Sequence, residues 1–202
     1  MKKDRKAVFL GIILCFSFFI FANCASTTGN NTSMSSSELR KIVSIDDISL
    51  PLPDDSESQS YLGLSGTKNF TIPQIKADVV LINVFSTTCP HCQKEAPNTN
   101  KLFEAIEGRP DLKGKIKIIG IGTRNTMEEV QLFKDEYKVL FPLFPDKDMT
   151  IFNQLAVTAT PTLIGVKLLE DGTHSILFRK AGSIGEVSWF LDFLLDMARL
   201  NK

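Results

Sequence analysis

Histidine and the polar aromatics are scarce in this chain: 202 residues hold two histidines, one tryptophan and two tyrosines. With so few histidines and one C-x-x-C pair, the four ligands usual for a structural zinc site are not supplied by a familiar spacing. A basic excess is also missing, since 23 basic residues meet 23 acidic ones, and that balance excludes a general nucleic-acid binder. Four cysteines are too few for a disulfide scaffold. No apolar run reaches the roughly 20 residues that span a bilayer comfortably. No internal repeat is visible. Hydrophobic residues make up 43%, which argues against global disorder. The length suits one domain plus a tail. A folded part of about 150 to 180 residues would bury roughly two-thirds of the surface its unfolded chain exposes.

The charges that are present are unevenly placed. Lys2, Lys3, Arg5 and Lys6 precede an apolar run from Ala7 to Ala22. A basic stretch before a short apolar run reads as an export signal. Taking away its four bases and one acid leaves 19 bases and 22 acids from Cys24 onward, a net charge of −3. Phe21-Ala22-Asn23-Cys24 resembles a bacterial lipobox, with Asn23 where such motifs prefer Gly, Ala or Ser. In that reading Cys24 becomes the lipidated first residue. Cleavage after Ala22, giving a soluble exported protein, and an uncleaved anchor are the alternatives. Ser26 to Ser37 is small, polar and aperiodic, as flexible tethers are. The expected organisation is an export signal over 1–23, a tether over 24–40 and a folded domain over 41–202. Each version puts the domain outside the cytoplasm, where disulfide chemistry is permitted. Cys15, inside the apolar run, reads as a small apolar filler.

The folded part alternates between two periods. Val79 to Phe85 is a short β-branched apolar run, the mark of a buried strand, and Ile116 to Ile121 is a second. Pro90 to Ile106 reads as a helix with an apolar stripe through Ala96, Thr99, Leu102, Phe103 and Ile106, kinked at Pro97. Thr126-Met-Glu-Glu129 is a capping box that opens a helix through Tyr137. Phe141 to Phe144 suits a short edge strand among prolines, and Asp148 to Leu155 a short helix. Thr162 to Leu169 and His174 to Lys180 read as a hairpin about an Asp-Gly turn. Ser183-Ile-Gly-Glu186 reads as a second capping box, opening a last helix to about Leu200. On that helix Trp189, Phe193 and Met197 add a second apolar stripe, expected of a helix buried on most sides; a partner surface is the sharper reading. Ahead of all this, Ile42 to Ile45 and Asn69 to Ile72 are expected to form a small sheet. The order predicts an α/β fold with a central mixed sheet flanked by helices.

Chemistry concentrates at Cys89-Pro90-His91-Cys92, where the first buried strand passes into the first long helix. A C-x-x-C pair on a helical turn places its sulfurs near enough for a disulfide. Cys89 at the helix N-terminus faces unpaired N–H groups and the positive end of the dipole, which favour thiolate. Pro90 starts the helix where its missing N–H costs little. His91, protonated or donating a hydrogen bond, would stabilise the Cys89 thiolate further. Cys92, one turn in, should be more buried. The roles follow: Cys89 attacks, and Cys92 resolves the mixed disulfide. A purely structural i,i+3 disulfide would constrain little chain and stabilise little.

Phe85-Ser-Thr-Thr-Cys-Pro-His-Cys-Gln-Lys-Glu-Ala-Pro97 resembles the active-site segment of thioredoxin-fold proteins of the TlpA/ResA type. The resemblance runs from about Val79 to Leu169 and more loosely to Leu200. It implies a thioredoxin-like fold with an N-terminal extension, in an exported, membrane-tethered thiol-disulfide oxidoreductase. Asn83 matches the position where this subgroup carries Asn and thioredoxin a buried Asp. Pro97 matches the helix-kinking proline, and Asp146-Lys-Asp148 the loop before the short helix. Thr160-Pro161 matches the family's cis-proline, in a tight turn of the kind that favours a cis bond. The resemblance implies that this loop lies against the cysteines and that the Thr160 backbone pairs with the substrate chain, as in strand addition. It also implies that Glu95, three residues after Cys92, tunes the thiols and accepts a proton from Cys92. An early-helix Glu favoured by the dipole is the simpler reading.

Two departures bear on function. Thr88 stands where relatives carry Trp, so an aromatic wall beside Cys89 is lost. The Pro-His dipeptide resembles that of oxidising DsbA-like proteins, which implies electron flow opposite to that of a TlpA/ResA-like reductase. Peroxide reduction would require Pro at position 82, where Ile82 stands, although Ser86 is correctly spaced. A copper metallochaperone or interaction module on the same fold would use a pair one residue wider. None of the favoured chemistry needs a metal or organic cofactor. The expected partners are cysteines of exported proteins, with apocytochrome c a class implied by the resemblance. A membrane or envelope partner would exchange electrons with the pair.

Overall fold

The computed structural model describes residues 45–66 and 68–200. The export signal, the tether, Cys24 and the expected strand residues 42–44 lie outside the described residues. Among the described residues, no helix is long and apolar enough to cross a membrane.

Both long β-branched runs are central strands. β3 (Val79–Phe85) lies parallel to β4 (Ile116–Thr123), and β4 lies parallel to the edge strand β5 (Leu143–Asp146). On the other side β3 pairs antiparallel with β6 (Thr162–Leu168), which forms the expected hairpin with β7 (His174–Ala181). The sheet order is β5-β4-β3-β6-β7, a mixed sheet. One register decides the position of the site. Val84, near the end of β3, sits opposite Thr162, the first residue of β6. The chain leaving β3 towards Cys89 is thereby brought beside the chain entering β6 from Pro161.

Strands 3 and 4 are apolar on both faces because both faces are covered. On one face Leu81, Phe85 and Ile118 pack with residues of α2 (Pro90–Glu107), α3 (Met127–Tyr137) and α5 (Val187–Ala198), among them Leu102, Phe133 and Phe190. On the other face Val80, Ile82, Ile119 and Ile121 pack against the N-terminal extension and the short α4 (Thr150–Gln154). The extension contains a two-stranded antiparallel sheet as expected, but from β1 (Ser49–Pro51) and β2 (Asn69–Thr71). Ile45, the last residue of the expected first strand, instead opens a turn of 3-10 helix, Ile45–Asp47. Between β1 and β2 lies a helix the periodicity did not reveal, α1 (Ser56–Leu62), capped by the Asp55 carboxylate on Ser58 N at 2.6 Å and closed by left-handed Gly63.

Three further boundaries move for physical reasons. The edge strand starts at Leu143 rather than Phe141. The short helix starts at Thr150, because the buried Asp146 carboxylate accepts from Ile151 N and Phe152 N, both at 2.9 Å, and sets its beginning. The last helix is capped by Glu186 and not by Ser183. Gly185 takes φ +81°, which turns the chain before the helix begins, and the Ser183 hydroxyl accepts from Gly185 N within that turn. The Glu186 carboxylate then accepts from Ser188 N and Trp189 N. The Trp189 stripe is not buried: Trp189 is 64% exposed and stacks on Phe193, with ring planes 8° apart.

Candidate active site

The loop from β3 to α2 builds the site. Phe85 is buried, and the next turn closes with Cys89 N donating to the Ser86 carbonyl at 3.1 Å. Cys89 is the N-cap of α2, with extended backbone, and Pro90 opens the helix. Cys89 therefore sits at the dipole's positive end, half-buried, while Cys92 one turn on is buried. Both are free thiols. The Thr160-Pro161 peptide is cis. The Cys89 Sγ lies 3.5 Å from the Thr160 carbonyl oxygen, to which its S–H donates. Ser86 N donates to the Cys92 Sγ, also at 3.5 Å.

The two sulfurs differ electrostatically. Partial burial pushes the Cys89 thiol up, but hydrogen bonds from the Thr160 side chain, from Cys92 and from the His91 backbone N–H outweigh it, and the net pKa lies below the ordinary thiol value. Burial pushes the Cys92 thiol up to about 12, opposed by the Ser86 N–H and reinforced by its donation to the Cys89 sulfur. The His91 side chain itself is exposed; what His91 supplies to Cys89 is its backbone N–H.

Glu95 is buried on the same helix. Its Oε1 accepts from Ile184 N at 2.9 Å and from Asn98 Nδ2 at 3.2 Å. With Asn83, Cys92 and Pro161 it lines a narrow cavity of about 10 Å³, on the order of the room one water needs. Sequence-expected Asn83, Cys92, Glu95 and Pro161 thus meet at one small space. Asp146 does not join them; it caps α4. Thr88 is exposed, its hydroxyl 3.3 Å from that of Ser86.

Three residues at the site escaped sequence reasoning. Asn125, after β4, holds Thr87 through both amide atoms. Gln93 Nε2 donates to the Thr87 carbonyl at 2.8 Å. Ile184 contributes only its backbone N–H, to a residue 89 positions away. Asn125 and Ile184 act across large sequence separations and leave no local signal; a Gln one turn into an active-site helix could have been noticed. Among the described residues, no group of three or more His, Cys, Asp or Glu is placed to hold a metal ion.

The AhpC/TSA family profile matches residues 46–178, more than half of the chain. The chain belongs to the AhpC/TSA family. A relative named thiol-disulfide oxidoreductase ResA, from Halalkalibacterium halodurans, is 27% identical over 97 residues, which cover 48% of this chain and 52% of that protein. The chain spans about half the length of the curated relatives it matches. The similarity is of the TlpA/ResA kind that the active-site segment predicts. Among solved structures, a thioredoxin-like protein from Aeropyrum pernix superposes with a TM-score of 0.51 at 14% identity, covering 78% of this chain and 91% of that one. DsbF of MTB superposes with a TM-score of 0.52 at 16% identity, covering 79% and 99%. The fold is thioredoxin-like, as expected.

Proposed function

We propose that the chain is a thiol-disulfide oxidoreductase that works outside the cytoplasm, reducing disulfides of exported proteins. The observation that carries this reading is the asymmetry of the pair: a half-buried Cys89 with lowered pKa beside a buried Cys92 raised to about 12, both against the Thr160-Pro161 turn. The Cys89 thiolate attacks a substrate disulfide, which forms a mixed disulfide and releases one substrate thiolate. Cys92 then gives up its proton to Glu95 and attacks the Cys89 sulfur. That step breaks the mixed disulfide, releases the second substrate thiolate and leaves Cys89–Cys92 oxidised. Two electrons have moved to the substrate, and a dithiol or membrane partner restores them. Glu95 suits the acceptor role because it is buried and lines the same cavity as Cys92. The Thr160 backbone is the docking edge for the substrate chain, and His91 supports the thiolate. Lipidation at Cys24 would tether the domain to the membrane. Apocytochrome c is one substrate class within this reading.

Exchange is favoured over peroxide reduction because fully buried Ile82 of β3 stands where that chemistry needs Pro. The Pro-His dipeptide and the lowered Cys89 pKa favour a second direction, oxidation of substrate dithiols. The test is turnover of a disulfide peptide by the reduced full chain. Cys89→Ser abolishes exchange, and Cys92→Ser accumulates the mixed disulfide. Full exchange by Cys89→Ser overturns the reading.

A further inference from the structure

We propose that Asn125 is a positioning residue for Cys92, acting through Thr87 and Ser86; this rests on the exchange reading of the cysteine pair. The β3–α2 loop carries no regular structure, yet its central residue is held at every polar atom. Thr87 N donates to Asn125 Oδ1 at 3.0 Å, Asn125 Nδ2 donates to Thr87 Oγ1 at 2.7 Å, and Gln93 Nε2 donates to the Thr87 carbonyl at 2.8 Å. The two bonds to Asn125 use both ends of one amide, so the side chain and the Thr87 backbone fix each other's orientation. Asn125 is only 2% exposed, and it sits 38 positions away at the end of β4, immediately before the cap of α3. The loop is thereby tied to the buried connection that follows central strand β4 and not only to its own helix.

The tie matters because of the neighbouring peptide. Ser86, one residue before Thr87, aims its N–H at the Cys92 Sγ. The Ser86 N–H is the backbone donor that lowers the cost of a Cys92 thiolate, against the burial that raises it. A donor to sulfur stabilises the anion only while it points at the anion, and hydrogen bonds weaken steeply as their angle closes. A loop free to rotate about residues 86–88 would lose that alignment. Cys89 depends on the loop less, because the Thr160 side chain and the N–H groups of α2 serve its sulfur. Asn125 therefore acts on the resolving step, in which Cys92 must become a thiolate, more than on the attacking step.

The experiment separates the two steps. The reduced full chain is mixed rapidly with glutathione disulfide, and formation and decay of the mixed disulfide are followed separately. Asn125→Ala slows decay by about tenfold, the scale of one charge-assisted hydrogen bond, with formation changed less than about threefold. Thr87→Val removes the hydroxyl that Asn125 Nδ2 binds and shifts the ratio the same way; Thr87→Ser keeps the hydroxyl and restores the wild-type ratio. If Asn125→Ala does not fold, Thr87→Val decides by the same ratio. A variant that lowers thermal stability while both steps keep their wild-type rates overturns the positioning role, since a purely structural clamp gives that result. A wild-type chain that forms no mixed disulfide overturns the exchange reading itself, and is seen before any variant is compared.

Discussion

Cys89 and Cys92 are three positions apart, yet the fold gives them opposite acidities. Cys89 gains donors that outweigh its burial, whereas Cys92 is desolvated and hands its own proton towards Cys89. The sign of the pH dependence follows. Alkylation of the reduced chain at Cys89 rises with pH and reaches its midpoint below the ordinary thiol value. Cys92 stays unreactive until the pH approaches about 12. Peptide-resolved iodoacetamide labelling across pH checks this, and equal midpoints for the two sulfurs would contradict it. The direction of the asymmetry was legible in the sequence because part of its cause is local, a C-x-x-C pair at the end of a buried strand with Pro90 starting a helix; the Thr160 donor to Cys89 comes from 71 positions away. The partners that complete the site were not legible. Asn125 and Ile184 meet Thr87 and Glu95 only after the sheet has formed. His91 contributes to Cys89 through a backbone N–H that any residue there would supply, and its side chain is exposed.

At the scale of elements, the sequence is most readable where one physical signal acts alone. The β-branched runs of β3, β4 and β6 and the capping box of α3 need no tertiary help. Thr126 accepts from Glu129 N at 3.3 Å, and Glu129 Oε2 accepts from Thr126 N at 2.7 Å. Thr126→Ala removes the first bond and keeps the second. The expected loss is about 1 kcal/mol in urea unfolding, with the cysteine chemistry intact. An unchanged midpoint would show that the cap contributes nothing. The local signal misleads where a motif competes with the tertiary path of the chain. Ser183 to Glu186 fits a capping box by spacing, but Ile184 N is already committed to Glu95 and the Gly185 carbonyl accepts from Asn98 Nδ2 at 2.8 Å. The helix therefore starts after both, at Val187. The first strand of the extension escapes the periodicity because so short a strand, with Pro51 at its end, carries almost no period. Helix α1 depends on its Asp55 cap and Gly63 stop more than on an apolar stripe.

Across the whole molecule, the antiparallel pairing of β3 with β6 does the assembling. Cys89 and Thr160 are 71 positions apart, and the register of two central strands puts the sulfur of one beside the carbonyl of the other. Apolar cores on both faces of the sheet hold that register, because a slip by one residue would exchange the two faces of β3. The thiol pair is thus supported by the most buried part of the fold, and chemistry at the loop need not disturb the strands beneath. The central claim is that Cys89 and Cys92 form one reversible redox couple, and thiol counting across graded thiol–disulfide buffers tests it most directly. The account predicts a single two-electron transition in the full chain, with two thiols lost together and the transition absent in Cys89→Ser. A midpoint near or below about −270 mV assigns the reducing direction, and one near about −120 mV the oxidising one. Cys89 and Cys92 that both stay free thiols in strongly oxidising buffer would contradict the account.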